Sequence, residues 1–67
     1  MSNQEPKKLI LQVELTEVEA EALAQFVKRL SWSAMRECAV DDDEAYLIRA
    51  ATDQVRVGLG LAGFAPR

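Results

Sequence analysis

Sixty-seven residues suffice for one small domain, below the roughly 70–80 residues at which a single core supplies more than about 3–5 kcal/mol without a disulfide, a metal or a second subunit. Hydrophobic residues make up 49% and charged ones 28%, the balance of a folding chain, and the single cysteine, Cys38, excludes an intrachain disulfide and so a secreted disulfide scaffold. The net charge of −3 is unevenly spread, with nine carboxylates against three cations between residues 14 and 44 and slightly basic ends, so the middle of the chain repels nucleic acid and attracts basic surfaces.

Residues 1–8 read as a flexible tail, polar and interrupted by Pro6, and residues 9–67 as the single domain. The tail lacks the apolar core of a signal peptide. No run approaches the roughly 20 apolar residues of a membrane span, and a cytoplasmic location is expected.

From residue 9 to residue 15, Leu9, Leu11, Val13 and Leu15 alternate with Ile10, Gln12 and Glu14, the period of a β-strand. The rest of the chain has helical signals. A lone strand leaves its backbone groups without a ladder, so this one is expected to pair elsewhere, for instance across a dimer.

Thr16 and Glu19 have the spacing of a capping box, which starts a first helix. Leu23, Phe26, Val27 and Leu30 form its apolar stripe, extended by Ala20, with acids at its start and Lys28 and Arg29 at its end as the helix dipole favours. Ser31 and Ser33 can each cap a short second helix lined by Trp32, Met35 and Ala39.

Asp41 and Glu44 repeat the cap spacing for a third helix from about Asp42, with Ile48, Ala51, Val55, Leu59 and Ala62 along one side. Arg49 and Asp53 are placed for an i,i+4 ion pair. Gly58 and Gly60 each cost roughly 0.5–1 kcal/mol relative to alanine inside a helix. Gly63 suits a left-handed C-terminal cap with Phe64 folded back on Leu59, and Pro66 prevents continuation. The expected fold is thus mainly α, one short N-terminal strand followed by two or three helices in the order β-α-α-α.

The chain has no histidine, the commonest general base near neutral pH, and Cys38 has no histidine to activate it, so an enzyme is not expected. Four cysteine or histidine ligands for zinc are lacking, as is a phosphate-binding loop. Neither a cofactor nor a metal is expected. Asp41, Asp42, Asp43 and Glu44 admit three readings: solvated acids that start a helix, an acidic contact surface, or a cation site without the glycine and downstream glutamate of an EF-hand. Cys38 reads as a small buried side chain, and Trp32 as core or a subunit contact.

The order of strand, capped helix, serine-containing turn and second helix over residues 8–40 resembles the ribbon-helix-helix repressors and antitoxins. That resemblance implies a homodimer through residues 9–15 and a regulatory role on DNA. The outward face of Ile10, Gln12 and Glu14 departs from the polar or basic face those proteins use.

The strings AEALAQFVKRLSWS, AVDDDEAYLIRAATDQVR and LAGFAPR resemble small uncharacterised proteins of bacterial mobile elements and phages, a setting that includes anti-CRISPR proteins. This second resemblance implies a non-enzymatic inhibitor that presents a DNA-mimicking acidic surface to a basic protein partner such as a CRISPR interference complex. Glu17, Glu21, Glu37, Asp41, Asp42, Asp43 and Glu44 would supply its carboxylates.

Overall fold

The computed structural model of the protein describes residues 7–64, which form three helices: α1 (Glu17–Arg29), α2 (Trp32–Cys38) and α3 (Asp42–Leu61). Of the expected tail, residues 1–6 lie outside the described residues, as do Pro66 and Arg67; Lys7 and Lys8 are exposed.

Each helix starts where a side-chain oxygen replaces the missing backbone acceptor. At α1 the Glu19 amide donates to Thr16 Oγ1 (3.1 Å) and the Thr16 amide donates to Glu19 Oε1 (2.9 Å), completing the capping box. At α2 the Ala34 amide donates to Ser31 Oγ (3.1 Å). At α3 the Glu44 amide donates to Asp41 Oδ1 (2.8 Å), and Glu44 Oε1 accepts from the amide of Val40 (2.9 Å) rather than from that of Asp41.

The end of α3 is a Schellman turn: the Phe64 amide donates to the Leu59 carbonyl (2.8 Å) and the Gly63 amide to that of Gly60 (3.0 Å). Gly63 takes a φ of 96°, which a side chain would strain.

The expected β-α-α-α order is overturned: there is no strand among the described residues, and residues 7–15 precede α1 with no helix, turn or bend. The reason is topological. A strand is defined by a ladder, and apart from this segment the described residues supply only helices and their short links, so the alternating row has no neighbour among them to pair with. The ribbon-helix-helix order loses its first element for the same reason.

Both α1 and α2 pack on α3. Ala20 and Ala24 of α1 meet Leu59 of α3, with Leu23 and Phe64 packed against them. The start of α1 therefore lies beside the end of α3. The start of α2 lies beside the start of α3, where the Trp32 and Tyr46 rings meet at a tilt of 43° with centroids 4.7 Å apart; Ala45, next to Tyr46, is fully buried.

Among the described residues the buried apolar side chains are Ala20, Ala24, Val27, Met35, Ala45 and Leu59. Only three of these six are large. The stripe expected on α1 is thereby corrected: Val27 is buried, Leu23 and Leu30 are half-buried, and Phe26 faces outward. The side expected on α3 is buried only at Leu59; Ile48 is half-buried and Val55 is exposed.

Candidate functional site

The seven carboxylate residues expected to meet a partner do not form one patch. Glu17 and Glu21 are one turn apart on α1, exposed and beside the end of α3, because Ala20 between them packs near Leu59. Asp41, Asp42, Asp43 and Glu44 occupy the start of α3, with Glu37 near the end of α2. At about 1.5 Å per residue the 18 residues from Asp41 to Leu59 separate the two groups by roughly 27 Å.

Within the corner between α2 and α3, most of the acids already have partners. Asp41 caps α3 and Glu44 holds the Val40 amide. Asp42 accepts from Arg36 Nε at 2.6 Å, and Arg36 Nη1 also donates to the Ala39 carbonyl (3.2 Å). The side chains of Glu17, Glu21, Glu37 and Asp43 enter no hydrogen bond or ion pair among the described residues.

Two local expectations are corrected here. Asp53 pairs with Arg56 one turn later (3.0 Å) and not with Arg49; both arginines are within helical reach, and i,i+3 geometry prevails. Cys38 is exposed, since Met35 is the side chain that α2 turns inward. Among the described residues no three carboxylate or thiol groups converge as they would round a metal ion, and no helix is long and apolar enough to cross a membrane.

The more prominent surface is apolar. Leu9, Leu11, Val13 and Leu15 border an open groove of about 900 Å³ whose other wall is Ala20 and Leu23 of α1, Ala51, Val55, Gly58, Leu59 and Ala62 of α3, and Phe64. Gln54 is the single polar side chain of its lining, and no charged residue enters it. The wall contributed by residues 9–15 is exposed at every position, up to 93% at Ile10.

This groove was legible in the sequence only in part. The alternating row and the side of α3 with Ala51, Val55, Leu59 and Ala62 are both readable, but their meeting across one groove is a tertiary fact that neither pattern contains. A second exposed apolar group, Val40, Tyr46 and Leu47, lies at the other end of α3.

Residues 1–67 match the model of the Family of unknown function (DUF7706). No curated protein and no solved structure matches the chain. The chain belongs to that family.

Proposed function

We propose that this DUF7706 member acts without catalysis, as a protein-binding module whose docking surface is the apolar groove between residues 9–15 and the α1–α3 face. One observation supports this above the others. Among the described residues fourteen large apolar side chains are exposed, including Leu9, Ile10, Leu11, Val13 and Leu61, whereas only Val27, Met35 and Leu59 are both large and buried.

Contiguous apolar surface of this kind on a soluble chain marks contact with another macromolecule. The lining also favours a polypeptide over a small ligand. Small-molecule sites combine apolar walls with several placed polar groups, and this groove offers only Gln54. The non-catalytic part of the reading rests on composition, the lack of histidine and the single unassisted cysteine.

A second reading keeps the acidic surface as the contact, with carboxylates standing in for a phosphate row against a basic partner. The observation favouring it is the exposure of Glu17, Glu21, Glu37 and Asp43 without partners among the described residues. The gap of roughly 27 Å between the two acidic groups favours two separate contacts over one continuous mimic.

Native mass spectrometry of the chain isolated from expressing cells separates these. With Leu11→Asp and Val13→Asp the bound polypeptide should be lost. With Asp41→Asn, Asp42→Asn and Asp43→Asn it should be retained, because asparagine keeps the helix cap while removing charge. The opposite pattern would transfer the docking site to the acids.

A further inference from the structure

We infer that α3 carries a second docking surface, on the side turned away from the core, and that its occupant is the same side of α3 in a second copy of this chain, running in the opposite direction. The inference does not rest on the groove reading, because this surface shares only Gln54 with the groove lining.

The surface is a row of five residues. Leu47, Ala50, Gln54, Val57 and Leu61 follow one another at alternate steps of three and four, the spacing of the a and d positions of a heptad pattern. All five are exposed, Leu47 at 69%, Val57 at 53% and Leu61 at 87%. The residues that α3 turns inward are Ala45 and Leu59, with Ile48 and Thr52 half-buried. At about 3.6 residues per turn these lie on the opposite side of the helix from the row.

The side of a helix that faces water ordinarily carries its charges. In α3 beyond residue 47 the charges are Arg49, Asp53 and Arg56, which fall together on one flank, and none interrupts the row. An uncharged row with this spacing packs against another row of the same spacing, and α3 itself is such a row. A two-fold contact requires that same self-complementarity of the patch.

Charge sets the direction. Asp41, the cap of α3, is followed by Asp42, Asp43 and Glu44, and Asp43 stands one step before Leu47 in the same row. Two copies running the same way would bring both acidic starts together, with Asp43 on Asp43. Opposite directions hold the starts apart. Two opposed registers set a positions against d positions. In one, Leu47 faces Val57 and Leu61 faces Asp43, a leucine against a carboxylate. In the other, Leu61 faces Ala50 and Gln54 faces Val57, so the large leucine meets a small side chain and Asp43 stays outside the contact. The second register follows, with its two-fold axis at the level of Val55 and Arg56.

Sedimentation equilibrium and cysteine cross-linking test partner and register. The native chain should show twice its 7.4 kDa mass at submillimolar concentration and move toward the single mass on dilution. Leu61→Asp should weaken this association by about 100-fold or more, since each dimer loses two buried leucines. Its helical circular dichroism should be retained, because Leu61 is exposed within one chain. Leu11→Asp should leave the association unchanged, which separates this contact from the groove. In a Cys38→Ser background, a short bis-maleimide should join Ala50→Cys to Leu61→Cys when the two variants are mixed. Either variant alone should stay unlinked, because the opposed register separates the two copies of position 50, and likewise of position 61, by roughly 16 Å along the helix.

Cross-linking of Leu61→Cys with itself would overturn the opposed direction. A native chain that is monomeric at submillimolar concentration would overturn the second copy. A dimer that dissociates with Leu11→Asp and withstands Leu61→Asp would overturn the α3 contact and move self-association to the groove.

Discussion

Thr16 and Asp41 show how much a single residue decides in this chain. Each satisfies an amide that the following helix cannot satisfy itself, and both contacts join residues three positions apart. Such spacing is visible in the sequence, which is why α1 and α3 start within a residue of where the caps place them. Thr16→Ala and Asp41→Ala should each lower unfolding free energy by about 1 kcal/mol, read from urea titrations. Asp42→Asn removes only an exposed ion pair with Arg36 and should change stability by no more than about 0.5 kcal/mol. The choice of Arg56 over Arg49 by Asp53, and the outward turn of Cys38, were not legible, because rotamers and the rotation of a short helix are settled by neighbours distant in sequence.

Among the elements, α1 explains the largest misreading of the core. Its apolar stripe points to Leu23, Phe26, Val27 and Leu30 with Ala20 extending it, yet the buried residues of the helix are Ala20, Ala24 and Val27. Ala20 and Ala24, at i and i+4, are the α1 residues that meet Leu59, and the larger Leu23 packs against them from the side. A stripe identifies an apolar side and leaves the line of closest contact open. Residues 9–15 alternate as a strand would, but a strand needs a ladder partner, and the described residues hold none.

The glycines of α3 give a prediction at the same scale. Gly60 is exposed and a methyl there meets nothing within 4 Å, so Gly60→Ala should raise stability by about 0.5–1 kcal/mol in thermal or urea unfolding. Gly58→Ala has the same open space within one chain. It should likewise raise stability by about 0.5–1 kcal/mol.

For the whole molecule, the sequence and the structure divide the surface differently. Along the sequence, acidity gathers between residues 14 and 44. In the folded chain, the packing of the start of α1 beside the end of α3 carries that acidity to two ends, and capping and the Arg36 pair engage part of it. What joins the N-terminal segment to α1 and α3 is an uncharged apolar groove. Its existence depends on which helices meet, a relation between distant segments that no local period encodes.

Native mass spectrometry of the chain isolated from expressing cells measures most directly the central claim that the apolar groove binds a polypeptide. A bound polypeptide lost with Leu11→Asp and Val13→Asp, and kept with Asp41→Asn, Asp42→Asn and Asp43→Asn, is the expected result. Loss with the asparagine substitutions and retention with the other two would contradict it.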